Sequence, residues 1–459
     1  MENEIMRKHI TQLTTAILLL AGVPLTAPAG IDGLTGTSFS FTAKQDYLST
    51  ADGGSLLFWG YSDDGGTTLG LPQYPGPTLI VNQGDTVSIS LSNTLNEPVS
   101  LLFPGQRGVI ASCSNGGADG VCVDGNLTTE AGIDGDVVTY TFSADQPGTY
   151  MYHSGSHMDL QLEMGLLGAL IVRPSLGPDY AYNHTATRFD REYLFLLTEI
   201  DPRIHLQVAL GLKTLVDNAD YFPVYWLLNG RTAPDDMSPA FADWLPTQPY
   251  NSVPRMHPGE KVLMRVVGAG RDLHPFHHHG NHASIIARDG RLVESVPGAG
   301  PDLAEQVFTI TTVPGSTSDA IFEWTGEHMG WDIYGSSLDD PALAHGCTDE
   351  VNNTTGEFVP DGYADATSDY PWEWCADHDK PFPVTLPETQ DLFFGAWWSG
   401  SPYLGSLGDL PPGEGGLNPN GGYSYMWHSH TEKELTNNDI YPGGILTMMI
   451  IEAPGVVIE

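Results

Sequence analysis

The sequence predicts an all-β chain: two tandem Greek-key β-sandwich domains, the second carrying a long insertion. Three observations support that class. The composition is turn-rich, with 53 Gly and 34 Pro against only 18 Lys plus Arg, which suits short strands better than helices. A strand–turn–strand segment occurs twice, as Pro77-Thr78-Leu79-Ile80-Val81-Asn82-Gln83-Gly84-Asp85-Thr86-Val87-Ser88-Ile89 and as Val253-Pro254-Arg255-Met256-His257-Pro258-Gly259-Glu260-Lys261-Val262-Leu263-Met264-Arg265. Each half then ends on a similar run, Gly148-Thr149-Tyr150-Met151-Tyr152-His153-Ser154 and Ser424-Tyr425-Met426-Trp427-His428-Ser429, followed by a last apolar strand at 168–172 and 444–451. Alternating apolar residues between Gly, Pro, Asn and Asp clusters are the pattern of sandwich strands.

In chain order, residues 1–29 read as a signal peptide. Arg7-Lys8-His9 supplies positive charge, Ala16 to Val23 an apolar run, and Ala27-Pro28-Ala29 a small-residue cleavage site. That run is too short to span a bilayer, and no later stretch is long enough, so the sequence predicts a secreted or periplasmic protein with no membrane span. The first domain is placed at 30–175, with Cys113 and Cys122 bracketing a Gly-rich loop. The second is placed at 190–455, with an insertion at about 335–421 that holds Cys347, Cys375, Trp372, Trp374, Trp397 and Trp398. In an oxidising compartment each cysteine pair can close a local loop, stabilising by about 2–4 kcal/mol. The insertion reads as a lid, a subunit contact or surface decoration, and its aromatic density points to packing against something. A formal charge of −39 argues against nucleic-acid binding and favours the approach of metal or organic cations.

The chemistry is concentrated in His274-Pro275-Phe276-His277-His278-His279-Gly280 and in His428-Ser429-His430. Side chains alternate along a strand, so His277 and His279 share a face, as do His428 and His430. Two such strands side by side surround one volume with four imidazoles, a donor set that takes copper or zinc. Ordinary core or surface histidines are the alternative.

These motifs resemble the multicopper oxidase family, which is built from tandem cupredoxin domains. His274 to Gly280 looks like its HPxHxHG motif, Trp427-His428-Ser429-His430 with Gly443, Gly444 and Met448 like its final HCH motif, Tyr150 to Gly155 like YxYHSH, and Leu228-Asn229-Gly230-Arg231 like its NGR turn. Two domains resemble the two-domain laccases and copper nitrite reductases, which implies a possible homotrimer with copper at domain interfaces. Copper is the cofactor so implied. The departures are specific. Ser429 stands where the type 1 copper cysteine is expected, and a hydroxyl cannot replace a thiolate there. Leu101-Leu102-Phe103-Pro104-Gly105 stands where HWHG is expected, and Gly155 where YxYHSH has its second histidine. His157 can replace the latter if the strand continues, and His274 keeps its place as a lone ligand.

The ligand set is therefore His277, His279, His428 and His430, with His153, His157 and His274 as weaker members. His282, His328, Glu432 and Glu434 read as ordinary polar residues, the two glutamates as solvated charge. Met158, Met164, Met448 and Met449 read as core filler. No catalytic residue is identified. The expected function is an exported copper oxidoreductase with a type 2 or type 3-like centre and no blue copper, taking electrons from a small-molecule or metal-ion donor and passing them to dioxygen. The alternative is a copper-binding or storage protein without turnover.

Overall fold

The computed structural model describes residues 30–65, 70–115, 122–133, 136–330, 332–338, 340–380, 401–402, 422–453 and 456–458. The predicted signal peptide and Trp397 and Trp398 lie outside these residues. The chain forms tandem cupredoxin-like β-sandwiches. The first stacks a four-stranded sheet, which includes Gly76–Asn82, Leu167–Arg173 and Gly148–His153, on a six-stranded sheet that includes Ser38–Ser49, Thr86–Asn93 and Val137–Ser143. The second stacks a sheet built around Arg191–Ile200, Lys261–Gly268 and Thr317–Glu323 on one built around Leu446–Ile451, Tyr423–Ser429, His274–His278 and Thr309–Thr312. Among the described residues no helix is long and apolar enough to cross a membrane.

The two-residue period explains which strands lie where. In Thr86–Asn93 only every second residue is buried, and Val87, Ile89 and Leu91 enter the first core. Gly148–His153 and Leu167–Arg173 are buried on both faces. Tyr150, Tyr152, Leu170 and Val172 point into the first core, while Met151, Leu167 and Ala169 meet Leu194, Leu196, Val267 and Ala269 of the second sandwich. The halves therefore share an apolar seam.

A buried polar cluster crosses that seam. Arg265 Nε donates to Glu192 Oε2 at 2.9 Å and its Nη1 to Thr149 Oγ1 at 2.9 Å. Thr149 Oγ1 in turn donates to Asp319, which also accepts from the Tyr182 hydroxyl. Burial alone would raise the Glu192 carboxyl, yet Arg265 and Arg173 hold it below the usual carboxylate range.

Both expected disulfides form, Cys113–Cys122 and Cys347–Cys375. The described part of the insertion packs on the second sandwich. Ile333 and Tyr334 join its core, and Trp372 covers Gly259, where a Cβ would lie 2.3 Å from the indole. Gly259 is also at φ +81°, so the position admits only glycine on both grounds.

Removing one partner from a buried ionic cluster strands the others without water. Arg265→Ala is expected to lower unfolding free energy by about 3–5 kcal/mol. Urea unfolding reads this directly, and a loss under about 1 kcal/mol would show that the seam does not depend on the cluster.

Candidate metal centre

The centre is made by one strand pairing. His274–His278 runs antiparallel to Tyr423–Ser429 with His277 opposite His428 and Phe276 opposite Ser429. Even-numbered residues of the first strand point inward: Phe276 is in the core, and His278 packs edge-on to Phe322 and Trp427. Odd-numbered residues point to the other face, where His277 and His279 meet His428 and His430. Ring centroids are 4.8 Å apart for His277–His279, 5.2 Å for His279–His428 and 4.8 Å for His277–His430.

Ligating nitrogens of His277, His279 and His428 all lie within 4.8 Å of one another. The Nε2 atoms of His279 and His428 are 3.2 Å apart. Two nitrogens each ~2.0–2.1 Å from one ion are separated by roughly 3 Å, so this spacing suits a shared metal. His430 lies edge-on to His277 at the exposed edge, outside the three converging nitrogens.

Neighbouring groups set ring orientation. His428 Nδ1–H donates to the Ser429 carbonyl at 2.6 Å, which leaves Nε2 as the lone-pair nitrogen. His277 Nδ1 lies 2.9 Å from Thr309 Oγ1, leaving its Nε2. Burial, then the adjacent imidazoles, push His277 down to about 3, and burial pushes His428 down to about 4. Both are neutral at neutral pH, the form that binds metal. Neutral imidazole nitrogens on His277 and His428, fixed from behind and converging with that of His279, fit copper.

Three expected ligands are elsewhere. His274 is fully buried between two carboxylates, with Nε2 2.8 Å from Glu199 Oε2 and Nδ1 2.9 Å from Glu434 Oε2. Both nitrogens donate, so no lone pair is left for a metal. Burial opposes the charge on this ring, but the two carboxylates outweigh it and raise it to about 9. His157 does not continue the strand face of His153. The strand ends at His153, and His157 adopts φ 38° at the start of the short helix Met158–Gln161, half-exposed beside Glu97. His153 repeats the His428 geometry, its Nδ1–H donating to the Ser154 carbonyl at 2.8 Å, yet it is not among the converging nitrogens. Leu102 pairs with it across the backbone and fills the space beside Gly155, where a Cβ would lie 2.7 Å from the leucine Cγ.

Glu434, expected as solvated charge, is buried. The 3-10 turn Glu432–Leu435 folds back directly after His430 and returns residue 434 to the interior, where it accepts from His274 and, at 2.6 Å, from Ser429 Oγ. Glu432 stays exposed. Glu199 was not singled out in the sequence. Its one signal is an acid inside the apolar strand Arg191–Ile200. His282 and His328 are exposed and lie against Phe308 and Trp374. Met164 and Met449 are core residues, whereas Met158 is exposed.

A multicopper oxidase family model matches residues 69–176. L-ascorbate oxidase of Cucurbita pepo var. melopepo is 32% identical over 187 residues, 38% of this chain and 30% of that protein. Copper resistance protein A of Escherichia coli is 27% identical over 304 residues, 59% of this chain and 45% of that protein. The chain thus spans less than half the length of these relatives. The blue copper oxidase of Nitrosomonas europaea superposes with a TM-score of 0.51 at 17% identity, covering 91% of this chain and 85% of that one, a likeness of fold. Residues 69–176 thus match a multicopper oxidase model, and the chain shares its cupredoxin-like fold with a blue copper oxidase; these likenesses support a multicopper oxidase family member with copper as its cofactor.

Proposed function

We propose that this chain is an exported copper oxidoreductase whose copper is held by His277, His279, His428 and His430 as a type 2 or type 3-like centre, without a blue type 1 copper. The observation that carries this reading is the 3.2 Å approach of the His279 and His428 Nε2 atoms beside His277. Copper bound there supplies a one-electron redox centre able to meet dioxygen or another small oxidant.

The protein's own residues do the rest. Thr309 and the Ser429 carbonyl hold two rings in the ligating tautomer, Phe308 packs on His277, and Trp427 Nε1 donates to the His279 carbonyl from the inner face. Ser429 offers no thiolate wire, so electrons come directly from a small-molecule or metal-ion donor at the exposed His430 edge. A net charge of −39 favours a cationic donor. Where a blue copper would sit, His274, Glu199, Glu434 and Ser429 form a closed hydrogen-bonded group. Export to the periplasm or exterior is supported by the leader-like residues 1–29 and by two disulfides. Within one chain His153 stands apart from the converging nitrogens, and the two-domain resemblance extends the proposal to a homotrimer with copper at domain interfaces.

Leu102 and Gly155 favour a second reading. They fill the first sandwich with apolar contact where a fuller copper cluster would need ligands, as expected of a copper-storage protein without turnover.

Copper-loaded protein is expected to show no intense thiolate-to-copper visible band and to consume oxygen with copper(I), iron(II), manganese(II) or a phenol. Silence with all four donors selects storage. His279→Ala with His430→Ala is expected to abolish copper retention, read by metal analysis; undiminished retention places the copper elsewhere.

His274→Gln is expected to keep copper, since both ring nitrogens donate to carboxylates, and a loss of copper would contradict the assignment. The same variant should be less stable by about 3–5 kcal/mol near neutral pH. The sign with pH follows from a folded value of about 9 against an ordinary 6.5, with Glu199, Glu434 and Asp272 facing the ring. Its contribution is whole below 6.5 and is lost as pH rises through about 9. Urea unfolding of both proteins should therefore show the gap shrinking with rising pH; a gap that widens rules out the charged ring.

A further inference from the structure

We infer that Asp332, His345, Glu373 and His378 form a second, closed metal site, which takes a divalent transition ion of the zinc type and braces the insertion. Asp332 stands just before the insertion, the other three lie in its described part, and none belongs to the histidine cluster of the strand pair. One ligand atom from each lies within 4.8 Å of the others.

Four of the imidazole-to-carboxylate separations, with Glu373 offering one oxygen to each ring, match the edge length of a coordination tetrahedron. His345 Nε2 is 3.4 Å from Asp332 Oδ2 and 3.2 Å from Glu373 Oε2. His378 Nδ1 is 3.4 Å from Asp332 Oδ2 and 3.1 Å from Glu373 Oε1. Ligands ~2.0–2.2 Å from a tetrahedral zinc are separated by roughly 3.3 Å.

Both rings are held from behind, as metal-bound imidazoles are. His345 Nδ1–H donates to the Leu343 carbonyl at 2.7 Å, which turns Nε2 inward, where it lies 3.2 Å from Glu373 Oε2 and would ligate once a metal displaces its proton. His378 Nε2 faces Asp379 Oδ2 at 3.3 Å, leaving Nδ1 inward. Tyr370 stacks on the His345 ring at 3.9 Å and fixes its plane.

An independent observation points to a ligand. Asp332 is 4% exposed. Its Oδ1 accepts from the Tyr334 amide at 2.9 Å, but Oδ2, aimed into the group, makes no hydrogen bond among the described residues. Neither ring N–H is aligned on it despite the 3.4 Å separations. A buried carboxylate oxygen without a donor is costly unless a cation sits beside it.

Four protein ligands leave no open position, so the site is structural. It ties Asp332, at the root of the insertion, to segments on both sides of the Cys347–Cys375 disulfide. Two imidazoles with two carboxylates suit zinc better than the all-imidazole cluster does, which separates the two sites by donor chemistry.

The test uses the full chain carrying His279→Ala and His430→Ala, stripped with a chelator and dialysed against zinc. One zinc per chain is expected to remain by elemental analysis, to raise the melting temperature by several degrees, and to slow thermolysin cleavage within residues 340–380. Adding Asp332→Asn or His378→Gln, with the fold checked by circular dichroism, should remove the bound zinc. Zinc-edge absorption fine structure of the parent sample should show two imidazoles and two oxygens, a readout independent of whether the added variants fold. No retained zinc, retention unchanged in both variants, or a shell of three or more imidazoles would each overturn the site.

Discussion

The pairing of His277 with His428 across two antiparallel strands is the constraint on which the centre depends. Side chains on a strand have a period of two. A slip of one residue would turn His277 and His279 into the core and carry Phe276 and His278 out to the opposite face. The register is held by what lies on the inner face. Phe276, Trp427 and Phe322 interlock there, and Trp427 Nε1 also donates to the His279 carbonyl at 2.9 Å. Burial of aromatic area, worth about 1.5–3 kcal/mol per ring, thus fixes the geometry of polar groups one pleat away.

The two faces of this strand pair carry opposite electrostatic solutions. On the outer face the imidazoles crowd together, and His277 and His428 stay neutral because burial and the neighbouring rings disfavour their protonation. On the inner face, His274 lies between Glu199 and Glu434 and is held protonated by them. Ser429 joins the second arrangement through its hydroxyl bond to Glu434. Serine for cysteine is therefore not an isolated change. Residue 429 belongs to a group in which every polar atom named has a partner, whereas a thiolate there would face the Glu434 carboxylate.

Much of this was legible in the sequence because it depends on periodicity. Alternation places 277, 279, 428 and 430 on one face, and the repeated His-Ser runs mark equivalent strands in the two halves. Cysteine spacing gives both disulfides. What was misread depends on where a strand stops or a chain turns back. His157 lies past the end of its strand, with positive φ, and Glu434 sits in a 3-10 turn that returns it to the core. His274 keeps a ligand's place in the motif, but its partners come from residues 75 positions earlier and 160 later, a contact no local pattern reveals. The carboxylate–imidazole group of the insertion is of the same kind, since its members are spread over 332–378 without a motif spacing.

Anomalous diffraction at the copper edge, on crystals of the copper-loaded protein, tests the central claim most directly. The account predicts a peak between the Nε2 atoms of His279 and His428, within bonding reach of His277. A strong peak at His274 and Ser429, or none near the paired strands, would contradict it.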